Sequence, residues 1–485
     1  MDLPGQKNES TNREAYNIFK RQFNGHSPSP DTTILNGLHT LHPDHHITAV
    51  ITGYCDLLSY ADAGHAKAEL DNDTDGFQAR RVYRAASRRL DESTGTLSDR
   101  VSFGKYHYVW QEQSYLVYRM SWSHEVTGDP IDRQFLLSPW VGNEKEGHSP
   151  LADELILAAG KWSGELHNEI YVFDNGHWFK NKDLWESVQK ASWNDVILEE
   201  KMKKTIANDI EGFFDRKDLY TEFAVPWKRG IILHGPPGNG KTVSLKAVMH
   251  NLSARPDPIP ALYVKSLEHC KGPQVAVRSI FSQARDMAPC LLVFEDIDSL
   301  VTDKVRSYFL NEVDGIEAMD GIMMIGSTNH LDKLDPAIAK RPSRFDRKYA
   351  FTLPAEPERA AYCDYSRAKL ASNPAIEFPL ELSPAIAKIT DAFSFAYLKE
   401  LFITSLLLIA RAREHDEPVD GSDDGDERDV LRSCPLGRVI KSQVQILRDD
   451  MESGSKQAPK VDTGERMEFA MLRDLMQTQG MHRSE

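Results

Sequence analysis

Cysteine is scarce in this chain of 485 residues. Five are present, at 55, 270, 290, 363 and 434, scattered and without a CxxC pair. That usage supports neither a disulfide framework nor a zinc site, and it fits a reducing compartment. Long apolar runs are missing too: the longest, LFITSLLLIA at 401–410, is about half a membrane span. The opening MDLPGQKNESTNREAYNIFK has no apolar core of the secretory kind. The expectation is an intracellular, soluble protein, cytoplasmic or nuclear, with no membrane span. Positive charge is in deficit, 58 Lys and Arg against 73 Asp and Glu for a net −15 at pH 7. Broad contact with a phosphate backbone needs a basic face, so no nucleic-acid partner is expected.

What is there divides into segments. The length predicts two or three domains of ~100–200 residues. Residues 1–47 are polar and read as a flexible lead-in. Within them HTLHPDHH (39–46) gathers four histidines near Asp44, a pattern that most simply makes a surface loop, and no metal is assigned to it. From 48 to 194, strand-period alternation in YHYVWQEQSYLVYRMSW (106–122) and EIYVFDNGHWF (169–179) predicts an α+β domain that holds a substrate or partner. The second stretch reads as a hairpin turning at Asp174-Asn175-Gly176. Helical spacing over 195–220 leads into short apolar runs at 230–234, 261–264, 291–294, 322–326 and 349–353, separated by helix-length segments. That is the pattern of a parallel sheet with crossover helices, and the α/β domain is set at 195–357. A helical segment, 358–452, follows, interrupted by the acidic stretch 414–429, which reads as disordered, and a tail runs from 453 to 485.

GPPGNGKT at 235–242 satisfies G-x-x-x-x-G-K-[ST] and lies between a predicted strand and a predicted helix. Gly235, Pro236, Pro237, Gly238, Asn239 and Gly240 would form a loop whose N–H groups converge on one anion. Lys241 would reach the β- and γ-phosphates of ATP, and the Thr242 hydroxyl would complete a Mg²⁺ shell. About fifty residues on, CLLVFEDID reads as a central strand ending in Glu295, Asp296 and Asp298, where ligands bind in open α/β sheets. A third strand ends in Ser327, Thr328 and Asn329, followed by arginines at 341, 344 and 347.

These motifs, in this order, resemble the AAA family of ATPases over roughly 195–452. The resemblance implies a P-loop parallel sheet sandwiched by helices, a small helical lid, bound ATP and Mg²⁺, and a homo-oligomeric ring, a hexamer being favoured. It implies that Asn329 places the attacking water and that Arg341 and Arg344 match the family's two arginines, which complete a neighbour's site. The segment from Asp335 to Arg341 is one residue longer than the common pattern and Ser343 replaces a glycine, so the choice of finger stays open between them. In the family the paired acids usually run Asp then Glu; here the order is Glu295 then Asp296. That order and the approach to the P-loop are similar to the subgroup containing the mitochondrial respiratory-complex assembly factor, although no membrane helix precedes the domain. The loop SLEHCKGPQ (266–274) places His269 and Cys270 where members that thread polypeptide carry an aromatic.

By position, Glu295 would serve the metal and Asp296 the water. One methylene adjusts reach by about 1.5 Å, less than the step between neighbouring residues. The function expected is an ATP hydrolase that remodels a protein partner, chaperone-like in its action. The alternatives are an ATP-binding switch or scaffold without turnover, and a motor acting on nucleic acid, which the charge disfavours.

Overall fold

Ile34 and Leu38, one helical turn apart, are both buried in a helix, α1 (Pro30–Leu41). Part of the segment expected to be a flexible lead-in is thus ordered structure with an apolar stripe seated on a sheet. The structure is a computed structural model and describes residues 14, 17, 18, 30–71, 78–84, 95–123, 130–140, 148–314, 319–339, 341, 344–373, 376–414 and 429–456. Most of the acidic stretch 414–429 and of the tail from 453 lies outside the described residues. Two units are present, residues 1–167 and 168–485.

In the first unit, β1 (His45–Ile51), β2 (Lys67–Leu70), β3 (Gln78–Arg84), β4 (Thr96–Trp110), β5 (Gln113–Ser123) and β6 (Pro130–Pro139) form an antiparallel sheet ordered β1-β6-β5-β4-β2, with β3 also on β4. Alternation along β5 sends Tyr118 and Met120 to a layer shared with Ile34 and Leu38 of α1. Val117 and Tyr115 go to the other layer, which is covered by α2 (Leu57–Asp62) and α3 (Pro150–Gly164). Successive strand residues point to opposite faces, and here each face has its own helical cover. The histidine-rich stretch is not a surface loop throughout. His42 is buried, its Nε2 is 2.9 Å from the Tyr118 hydroxyl, and burial, with His45 and Lys105 nearby, lowers its pKa to about 4.

In the second unit, β7 (Ile170–Asp174) and β8 (His177–Asn181) form the expected hairpin, with Asn175 and Gly176 at positive φ. It does not join the sheet of the N-terminal domain in which it was expected. β7 pairs in parallel with β10 (Ala261–Val264), so the boundary falls at 167 rather than 194. The helices α4 (Lys182–Gln189), α5 (Glu200–Asp215) and α6 (Lys217–Glu222) precede β9 (Lys228–His234), and α7 (Lys241–Ser253) precedes β10. α8 (Pro273–Asp286), β11 (Cys290–Phe294), α9 (Asp303–Asp314), β12 (Ile322–Thr328) and β13 (Arg347–Ala350) complete a sheet ordered β13-β9-β12-β11-β10-β7-β8. Every neighbouring pair but the terminal hairpin is parallel.

All of β11 and β12 is buried, because helices cover both faces and both strands read as unbroken apolar runs. The last strand starts two residues before the apolar run read from sequence. The lid holds α10 (Glu356–Leu370), α11 (Leu382–Ile389), α12 (Phe395–Glu414) and α13 (Pro435–Lys456) around its own core of Phe393, Leu398, Leu401 and Ile440. No helix among the described residues is long and apolar enough to cross a membrane.

Candidate nucleotide site

The carboxyl ends of β9, β11 and β12 lie side by side, since Phe294 pairs with Gly326 and Thr328 with His234. The loop after β9, the acids after β11 and the polar end of β12 therefore meet at one rim, where open α/β sheets take ligands. Gly235 must be glycine, because a Cβ there would stand 2.1 Å from the Phe351 carbonyl oxygen. Gly240, at φ +93°, turns the chain into α7. Lys241, nearly buried at 7% exposure, donates to the carbonyls of Gly235 (2.6 Å) and Pro236 (2.9 Å). Burial holds its pKa below the ordinary lysine value, against the pull of Asp296, Asp298 and Glu295. The Asn239 side chain is buried at 1% exposure with neither amide atom partnered. A loop with positive-φ glycines and a buried lysine behind it is a cradle suited to phosphate oxygens.

The two swapped acids have different neighbours. Glu295 accepts from the Thr242 hydroxyl on one oxygen and from the Tyr263 hydroxyl on the other. Tyr263, on β10, is a residue that the sequence did not single out. Its phenol is held well above its usual pKa by burial and by the bond to Glu295. Asp296 sits in the left-handed region at φ 50°, ψ 53°, a conformation Asp tolerates better than most residues. Its N–H donates to Ser327 Oγ (3.2 Å), and Asn329 Nδ2 lies 3.4 Å from its Oδ1. Burial, then Glu295 and then Asp298, raise its pKa above the usual carboxylate value. Asp298 is engaged elsewhere, accepting from the Thr328 hydroxyl at 2.7 Å.

Above this rim lies an open cavity of about 560 Å³ lined by Lys241, Thr242, Glu295, Asp296 and Asn329 and, from the C-terminal helices, by Phe395 and Ala396. The Ala396 N–H donates to the Gly238 carbonyl (3.1 Å), and the Tyr365 hydroxyl donates to Asp195 Oδ1 (2.6 Å). Asp195, Val196 and Ile197 border the cavity together with Tyr362 and Tyr365. From sequence these three were only the start of a helical linker. Lys369 stands 4.2 Å over the Tyr365 ring. Thr242 and Glu295 could hold a divalent cation, being hard oxygen donors with water-sized space beside them.

The arginines are not at this rim. Arg344, 6% exposed, gives Nε (2.8 Å) and Nη2 (2.5 Å) to Asp314 Oδ2 and Nη1 to the Ala337 carbonyl. Arg341 reaches the same carboxylate at 3.2 Å, but its side chain is 62% exposed. Among the described residues no arginine lines the cavity.

Further round, the loop carrying His269 and Cys270 packs on the hairpin turn. The Asn175 N–H donates to Ser266 Oγ (2.9 Å), and the His177 and His269 rings lie 6.3 Å apart. Cys270 is exposed, with Sγ 3.7 Å from His269 Nδ1. Residues 231–353, from β9 through β13, match the ATPase family associated with various cellular activities, so a nucleotide-binding P-loop α/β domain of the AAA family lies within this chain.

Proposed function

We propose that the chain hydrolyses ATP with Mg²⁺ and uses the reaction to remodel a protein partner, working as a homo-oligomeric ring of hexameric type. The observation that carries the catalytic part is the sorting of the acids: Glu295 beside Thr242, Asp296 beside Asn329. In this reading the loop 235–240 and Lys241 bind the phosphates. Thr242 and Glu295 hold Mg²⁺, directly or through its waters, and the bound ion would neutralise charge on the β- and γ-phosphates. Asn329 and Asp296 hold the attacking water, and Asp296 takes its proton as the new P–O bond forms and the bond to ADP breaks. A carboxylate held above its usual pKa is the better proton acceptor. Tyr263 keeps Glu295 turned towards Thr242 and so fixes which acid has which task. That no arginine borders the cavity among the described residues favours one supplied by a neighbouring copy. Arg341, exposed, is the finger in this proposal, and Arg344 holds its segment in place.

The test is phosphate release by the purified chain beside direct nucleotide binding. Hydrolysis is expected, with Lys241→Ala losing binding and turnover together. ATP binding without turnover would replace this reading with that of a switch. Turnover untouched by Lys241→Ala would remove the site altogether.

A further inference from the structure

α12 begins on the phosphate loop. The Ala396 N–H donates to the Gly238 carbonyl, and a Cβ at Gly238 would stand 2.5 Å from the Cβ of Ala396, so glycine is what lets helix and loop touch. The ring of Phe395 lies 5.7 Å from that of Tyr362 on α10. These contacts decide which face of α12 looks onto the cavity. Lys399 is three residues on from Ala396, one helical turn along the same face, and it borders the cavity with Phe395 and Ala396. Among the described residues the cavity is bordered by three lysines, Lys241, Lys369 and Lys399, and by three carboxylates, Asp195, Glu295 and Asp296. Lys241 donates to two loop carbonyls and Lys369 lies over the Tyr365 ring. Asp195 accepts from Tyr365, Glu295 from Thr242 and Tyr263, and Asp296 faces Asn329. Lys399 is the one of the six with no hydrogen bond or ion pair among the described residues. An exposed lysine is ordinarily a solvated surface group. This one shares a cavity with three carboxylates, pairs with none of them, and stands on a helix anchored to the loop expected to hold phosphate.

We infer that Lys399 is a further ligand of the nucleotide, its ammonium meeting the phosphate chain from the side of the C-terminal helices. The inference rests on the reading of the cavity as a nucleotide site. Base and ribose carry no charge at neutral pH, so the phosphates are the part that draws an uncommitted cation. A lysine suits the task, being a compact point charge on a flexible stem. The contact ties α12 to the occupancy of the site: without phosphate the ammonium stays in solvent, and with phosphate the helix gains a charge-assisted hydrogen bond. Lys399 belongs to the same chain as the P-loop, and its task is separate from that of Arg341, which acts on a neighbouring copy in the proposed function.

The experiment measures binding of ATP, ADP and adenosine to the full chain, unmutated and as Lys399→Ala, Lys399→Arg, Lys388→Ala and Lys241→Ala. In Lys399→Ala the affinity for ATP should fall about ten-fold, the low end for a hydrogen bond between charged groups because the site is open to solvent. The difference should shrink as salt is added. Lys399→Arg, which restores the charge, should keep most of the affinity, and an arginine variant as weak as the alanine one overturns a role for the charge. Loss for ATP alone puts the ammonium on the γ-phosphate, and equal loss for ATP and ADP puts it on the phosphates they share; either sustains the inference. Adenosine has no phosphate and should bind Lys399→Ala as it binds the unmutated chain. An equal loss for adenosine would report a displaced helix and overturns the inference. Lys388→Ala removes the same charge from an exposed position on α11 that does not border the cavity. An equal loss there would make the effect one of net charge and overturns the site. ATP binding that needs Lys241 but is unchanged in Lys399→Ala overturns this inference alone. Absence of ATP binding in the unmutated chain, or binding untouched by Lys241→Ala, removes the nucleotide site and this inference with it.

Discussion

Replacing Tyr263 by phenylalanine removes the hydroxyl that donates to Glu295 and leaves Glu295 with Thr242 as its remaining hydroxyl partner. Groups that orient a metal ligand typically carry about ten-fold in metal affinity or activity. Tyr263→Phe should therefore raise the Mg²⁺ concentration for half-maximal turnover about ten-fold, with the maximal rate restored at high Mg²⁺. A purely structural tyrosine would lower the rate at every Mg²⁺ concentration. The acids themselves give the sharper contrast. Asp296→Asn should retain ATP binding and stop hydrolysis, because an amide cannot accept the proton. Glu295→Gln should weaken Mg²⁺-dependent binding and recover as Mg²⁺ is added. Exchanged phenotypes would reverse the two roles. The acids and the P-loop were legible because each departs from what a strand or turn otherwise needs. Tyr263 was not, since an aromatic residue in a strand is ordinary β-sheet usage. Only the β10–β11 pairing, with Tyr263 opposite Val293, brings its hydroxyl to the end of the next strand.

At the level of elements, the end of α9 fixes the arginine segment through Asp314, whose carboxyl is held below its usual range chiefly by the bond to Arg344. Arg344→Ala should cost about 2 kcal/mol of stability, the scale of a hydrogen bond to a charged group, seen as a lower urea midpoint. Arg341→Ala should leave the midpoint in place and abolish turnover. The strands, crossover helices and C-terminal helices were readable from periodicity, but the partner of the 170–181 hairpin was not. Its alternation gives the hairpin and says nothing of which sheet it joins, and parallel pairing to β10 is decided only by packing. α1 was missed because a polar, Pro-containing stretch conceals two apolar residues four apart, Ile34 and Leu38.

The same element ends near His42, and a pH dependence follows. Its folded pKa is about 4 against roughly 6.5 unfolded, so the unfolded state binds the extra proton first. Full stability is present above the unfolded value and is lost as pH falls from about 6.5 towards 4, by on the order of 2–3 kcal/mol. Acid unfolding followed by the fluorescence of Trp110 and Trp122, buried in this unit, should show the loss, and His42→Gln should flatten it.

For the whole molecule, the separation of parts within one chain sets the question. The P-loop, acids and Asn329 border one cavity, whereas among the described residues no arginine borders it and the exposed Arg341 side chain reaches Asp314 instead. A head-to-tail contact between copies is the geometry that lets one surface complete another, and it closes into a ring when the rotation permits. Specific activity should then rise with protein concentration until assembly saturates. Mixing variants decides more. Asp296→Asn has a dead site and an intact Arg341, whereas Arg341→Ala has an intact site and no finger. Each alone should be inactive. In an equal mixture about a quarter of heterologous interfaces pair an intact site with an intact finger, so activity should reappear towards about a quarter of the unmutated rate where sites fire independently. If the arginine acted within its own chain, no mixture could restore it, because every chain would still lack one of the two groups. Phosphate release from the mixture, measured after exchange at low concentration and reassembly, separates the two cases, and persistent inactivity would overturn the shared site.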